Sequence, residues 1–118
     1  GNTSALYSAD AFKSFGGERE VVENKSTIDQ VYPNPASEKF KVWLNIQETD
    51  KESRIALLLI DNLGHKLDEV EVHYTDDGYI RIGFDLSDYN AVNAGVYRLT
   101  LLINGKAVDS KNIVISHQ

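Results

Sequence analysis

Any chemistry in this chain has to come from a handful of side chains, and the three histidines come first because an imidazole can serve as acid, base or metal ligand. His65 follows a turn glycine, His73 falls in a strand-like segment, and His117 is the penultimate residue. No two have the close spacing with which one element clasps a metal. Each reads as a solvent-facing or edge histidine. Asp50-Lys51-Glu52 and Asp76-Asp77-Gly78 contain the residue types of calcium ligands but not the repeated oxygen donors of a calcium loop, so both read as polar loop tips. The absence of Cys removes disulfides, thiolate metal sites and cysteine nucleophiles, and no Gly-x-Ser-x-Gly elbow supports a serine nucleophile. No catalytic residue, metal ligand or cofactor is expected. Trp43, the single tryptophan, is the exception: alternation turns it away from Phe40, Val42 and Leu44. An outward aromatic offers a stacking surface for a sugar, or else lies under the N-terminal segment or at the outer edge of the fold.

With 118 residues there is room for one domain and one core. The 42% hydrophobic and 25% charged fractions suit a folded water-soluble domain, and the longest apolar run, Ile55 to Ile60, is far short of the roughly 20 residues a spanning helix needs. A net charge of -6 argues against nucleic acid, whose affinity rests on clustered Lys and Arg. No basic region followed by an apolar stretch opens the chain, so any export signal is expected outside this sequence.

Two regions differ in pattern. Residues 1–27 hold no sustained apolar period and include Gly16-Gly17 and the acids Glu18, Glu20 and Glu23; they read as a flexible N-terminal tether from a preceding region, with at most a short helical turn over Tyr7 to Phe15. Residues 28–118 read as the folded domain. Short runs of Val, Ile, Leu and Tyr recur between turn residues: Ile28–Tyr32, Phe40–Ile46, Arg54–Asp61, Lys66–Tyr74, Tyr79–Leu86, Tyr97–Ile103 and a last strand after Asn104-Gly105. Seven such strands predict an all-β fold, an immunoglobulin-like antiparallel β-sandwich without its cysteine pair.

Turn chemistry assigns the connections. Pro33 and Pro35 lack the N–H a central strand donates and end the first strand. Gly64 is expected at positive φ, and Asp76-Asp77-Gly78 is expected to close a hairpin between strands four and five. Asn104-Gly105 is the strongest two-residue hairpin signal in the chain. A plain hairpin from that turn sets Ile113 and Ile115 on the wrong parity for the core. Either a bulge near Ser110 to Asn112 restores them, the preferred reading, or Val114 is the buried residue.

The punctuation has an order: Val31-Tyr32-Pro33-Asn34-Pro35-Ala36, then Asp61-Asn62-Leu63-Gly64, then Asp85-Leu86-Ser87, then Gly95-Val96-Tyr97, then Asn104-Gly105-Lys106, and Lys111-Asn112-Ile113-Val114-Ile115. In this order and spacing the series resembles the type A C-terminal sorting domain of the type IX (Por) secretion system, from about Val31 to Ile115. Much of it also has a purely structural use, and Tyr97 is expected to bury its ring and return its hydroxyl to the backbone as in a tyrosine corner. The resemblance implies a secretion signal for an N-terminal cargo, not an enzyme. Its implied partners are the outer-membrane translocon and a sortase-like protease, and its implied location the periplasm in transit, then the outer-membrane surface or the medium. It further implies that Pro33, Asn34, Pro35, Gly64, Gly95, Tyr97, Gly105, Lys111, Ile113, Val114 and Ile115 form the sorting motif, with the last strand and the Gly-x-Tyr region recognised. The alternative is an uncleaved surface module that binds carbohydrate through Trp43 or pairs an exposed edge strand with a protein. Cleavage needs accessible extended backbone, which places the cut between Gly16 and Gln30; mass spectrometry of secreted material should show that junction broken, and an intact junction would count against it.

Overall fold

The computed structural model describes residues 25–90 and 92–116. Most of the expected tether, its Tyr7 to Phe15 turn and His117 lie outside the described residues. Seven strands form two antiparallel sheets: β1 (Thr27–Tyr32), β2 (Lys39–Asn45), β3 (Ile55–Ile60), β4 (Lys66–Val72), β5 (Tyr79–Asp85), β6 (Gly95–Ile103) and β7 (Lys106–Ile115). One sheet has the order β1-β2-β5 and the other β4-β3-β6-β7. The all-β sandwich expected from the strand rhythm is what the chain forms.

Period-two alternation builds the core. Phe40, Val42 and Leu44 of β2 face Leu57 and Leu59 of β3 and Leu99 and Leu101 of β6 across the sandwich, and all of these are essentially buried. Phe40 and Phe84, cross-strand neighbours, stack with ring centroids 4.9 Å apart. The unbroken apolar run of β3 suits its central place between β4 and β6: Ile55, Leu57 and Leu59 are buried, while Ala56, Leu58 and Ile60 are partly covered on the outer face.

The connection after β4 corrects one expectation. Asp76-Asp77-Gly78 does not close a hairpin, because β5 pairs with β2 in the opposite sheet. The turn closes locally, Gly78 N–H donating to Thr75 O at 2.9 Å, and Gly78 O then accepts from Ile46 N–H at 2.7 Å, which delivers Tyr79 opposite Asn45. Gly78 has φ +76°, and a Cβ there would stand 2.5 Å from the Ile46 carbonyl oxygen, so only glycine fits this crossing. Alternation identified both strands correctly but carries no information about which sheet each one joins.

The β6–β7 hairpin turns at Asn104 (φ 52°) and Gly105 (φ 81°), as a type I′ turn requires. A bulge lies in β7, nearer the turn than expected: Leu102 pairs Ala107 but Leu101 pairs Asp109, leaving Val108 as the extra residue rather than one of Ser110 to Asn112. Its effect is the expected one. Ile113 and Ile115 are 0% and 1% exposed and Val114 is 38% exposed. The bulge also aims Asp109 at β1, where its carboxylate accepts from Ile28 N–H at 2.8 Å. Ser26 anchors the start of β1, donating to Asp50 Oδ2 at 2.7 Å and accepting from Gln47 N–H at 2.9 Å.

This parity predicts unequal costs for neighbouring truncations. Ile113→Ala should destabilise the domain by about 2–5 kcal/mol in chemical denaturation, and Val114→Ala by no more than about 0.5 kcal/mol; equal costs would contradict the bulge.

Candidate functional site

Three stretches far apart in sequence meet at one end of the four-stranded sheet. The loop between β3 and β4 turns on Asp61, whose Oδ1 accepts from Leu63 N–H at 2.9 Å and His65 N–H at 2.8 Å, with Gly64 at φ +89°. The His65 backbone donor, with lesser help from that of Leu63 and from the nearby imidazole, holds the Asp61 carboxyl below the usual carboxylate range against the opposing effect of burial. Because the folded value is depressed, the carboxylate supports the turn above the ordinary aspartate pKa and loses that support as the pH falls through the lowered value. Beside this loop runs the start of β6. Gly95 lies against the Asn62 side chain, and Tyr97, 5% exposed, donates its hydroxyl to Asn93 O at 2.6 Å, which is the expected tyrosine corner.

Between loop and strand is an open hollow of about 410 Å³, bounded by Ile60, Asp61, Asn62 and Gly64 on one side and by Val96, Tyr97, Arg98 and Asn112 on the other. Its surroundings are apolar for a surface: Leu63 is 76% exposed, Val96 49% and Val114 38%, and the two valines are cross-strand partners. Arg98 projects from the same face, where none of the described residues offers it a carboxylate partner. The place holds apolar side chains, amides, the turn-forming Asp61 carboxylate and the Arg98 cation, a mixture that suits contact with another protein.

The third stretch is the proline segment. Both of its X-Pro bonds, Tyr32-Pro33 and Asn34-Pro35, are cis. Asn34 donates its amide to Asn112 O at 3.3 Å and accepts from Val114 N–H at 2.9 Å. Ala36, fully buried, donates to Val114 O at 2.8 Å and accepts from Ser116 N–H at 2.8 Å, forming a short parallel bridge with Ile115. These bonds use the outward backbone groups at this end of β7. The last strand therefore offers no open edge between Asn112 and Ser116; what it offers there is side chains.

The residues expected to form the motif thus separate into groups. Asn34, between Pro33 and Pro35, binds β7, Gly64 and Tyr97 line the hollow with Gly95 against Asn62 at its border, Val114 adjoins it, and Ile113 and Ile115 are in the core. Lys111 is exposed on β7, and Gly105 lies at the opposite end of the nine-residue β6, about 30 Å away. Trp43 is half-buried on the outer face of the other sheet. Asn62, Arg98 and Asn112 were missed, since nothing in sequence spacing relates a turn after β3 to the far ends of β6 and β7. Asp85-Leu86-Ser87 is a turn: Asp85 accepts from Ser87 N–H and Oγ–H at 3.0 and 2.7 Å while Leu86 is buried. His65 and His73 are exposed, and among the described residues no group of three or more His, Cys, Asp or Glu is placed to hold a metal.

Fold and surface together define the class: a small two-sheet β module in which the proline segment, the β3–β4 loop, the start of β6 and the end of β7 meet at one end. Residues 30–116 match the family described as the secretion system C-terminal sorting domain, and the chain belongs to that family. Such a domain is the C-terminal sorting signal of type IX secretion; it is recognised by that machinery and destines the protein that carries it for export or the cell surface. No curated protein matches this chain.

If Asn34 is what closes the β7 edge, Asn34→Ala should accelerate hydrogen exchange at the Val114 amide and cost about 0.5–1.5 kcal/mol, while exchange at Leu57 in the sandwich centre should follow only the global loss. An unchanged Val114 rate would refute the clamp.

Proposed function

We propose that the export machinery reads this domain through the hollow between the β3–β4 loop and the starts of β6 and the last strand's outer face, and that the domain performs no catalysis. The observation that carries this is the convergence of Gly64, Gly95, Tyr97 and Val114, four residues from three separate motifs, around one exposed apolar corner. Here the buried motif residues act indirectly: Ile113, Ile115 and the Tyr97 ring hold Val96 and Val114 outward. The partner is the outer-membrane translocon, and recognition uses side chains on a sheet face, since backbone pairing at the Asn112 to Ser116 edge is pre-empted.

In this reading the domain, 28–118, follows a cargo and the tether 1–27, crosses the periplasm, and is released or retained at the surface after a sortase-like protease acts. Thr27 to Gln30 enter a paired strand, which favours a cut N-terminal to Lys25 within the window that starts at Gly16. The strand order and the Tyr97 corner support the finer immunoglobulin-like assignment, and the motif order supports type A.

Fusing residues 24–118 behind a reporter in a strain with a working type IX system should send the reporter out of the cell; retention in the periplasm would defeat the sorting role for this chain. Val96→Asp and Val114→Asp, both at exposed positions, should lower export severalfold with the melting temperature within a few degrees of the parent. Full export of both variants would move recognition away from the hollow while leaving sorting intact.

A further inference from the structure

The opposite face of the molecule carries a second pattern that sorting leaves unused. Register places three rows across the outer surface of the β1-β2-β5 sheet: Tyr32, Lys41 and Gly83; then Gln30, Trp43 and Arg81; then Thr27, Asn45 and Tyr79. Read diagonally, the rows align by chemistry. Tyr32 of β1, Trp43 of β2 and Tyr79 of β5 form a line of aromatic rings, one from each strand. Lys41 of β2 and Arg81 of β5 form a parallel line of cations beside it. With strands about 4.8 Å apart and successive outward residues about 6.7 Å apart, the rings recur roughly every 8 Å along a line of about 16 Å.

Three properties make this a surface for a ligand. Tyr32 and Tyr79 are 61% and 58% exposed, far more than structural rings on a sheet need to be. Lys41 and Arg81 are exposed, and among the described residues neither meets a carboxylate, in a protein of net charge -6. Lys39, the next outward residue of β2, is paired with Asp85 at 4.0 Å and is not counted with them. Finally, Gly83 leaves bare backbone beside Lys41, opening a trough of about 520 Å³ walled by Tyr32 and Pro33 above the Phe40–Phe84 stack, with Asp85 and Asp88 confined to its far side next to Lys39 and away from Arg81 and Trp43.

We infer that this face binds an acidic polysaccharide, its sugar rings lying along Tyr32, Trp43 and Tyr79 and its carboxylates meeting Lys41 and Arg81. Charge complementarity selects an anion, and a line of rings beside a line of cations selects a linear polymer that repeats a ring and a charge together. An extended peptide is a poorer occupant of the face, because the backbone groups of β2 beneath Trp43 are consumed by its pairing with β1 and β5. The surface lies on the other sheet from the hollow, so the inference stands or falls independently of the sorting role.

Trp43 is the only tryptophan, so its fluorescence reports directly on the face. Titrating the full chain with a hexameric uronate oligosaccharide should give a saturable emission change that weakens as salt is raised. Lys41→Glu/Arg81→Glu should weaken binding about tenfold or more, and Tyr32→Ala should weaken it with an unchanged melting temperature. The milder Lys41→Gln/Arg81→Gln keeps the test available should charge reversal unfold the sheet. No saturable response to the uronate, unchanged affinity in the variants, or equally tight binding of poly-L-glutamate or a deoxythymidine oligomer would each overturn the assignment.

Discussion

The parity of β7 is the constraint on which the end of the molecule around the hollow depends. A two-residue turn at Asn104-Gly105 dictates a register, and that register by itself would bury the polar side of the last strand. The extra residue at Val108 resolves the conflict by shifting every residue beyond it onto the other face. Ile113 and Ile115 then fill the core under Tyr97, Val114 stands outside beside Val96, and Asp109 is left pointing at β1, where it holds the Ile28 amide. Core packing, the outer contact surface and the tie between the two sheets all follow from where one residue is inserted.

How much of this was legible from sequence depends on the range of the signal. Local signals were reliable: the alternation of Phe40, Val42 and Leu44, the prolines that end β1, the Asn104-Gly105 turn and the ring of Tyr97 all behave as their residue types require. Sheet membership was not legible. Tyr79 to Asp85 alternates equally well whether it pairs with β4 or with β2, and the choice is made by Gly78 approaching the Ile46 carbonyl, a contact between residues 32 positions apart. The existence of the bulge could be deduced from parity, but its position could not, because either place restores Ile113 and Ile115. The family motif identified Gly64, Gly95 and Tyr97 without showing that they meet, and Asn62, Arg98 and Asn112 carry no local mark of their shared location.

The motif residues illustrate how positions that stand out in the sequence serve folding. Asp61 and Gly64 shape a turn, Asp85 and Ser87 close another, and Tyr97 fills a corner. Each has a sufficient structural reason to be there. In the proposed mode of recognition their contribution is what they hold in place at the surface, so the residues that a partner touches need not be those that stand out in the sequence.

The bond between Asn34, Ala36 and β7 has a further bearing on life outside the cell. An unpaired final strand is a template on which identical molecules can add to one another without limit, and exported chains accumulate where no chaperone of the cell interior reaches them. By occupying the strand's outward N–H and C=O groups with its own early segment, the chain ends its ladder internally. Between Asn112 and Ser116 each copy therefore presents a finished border, and copies brought together there have no open ladder to extend.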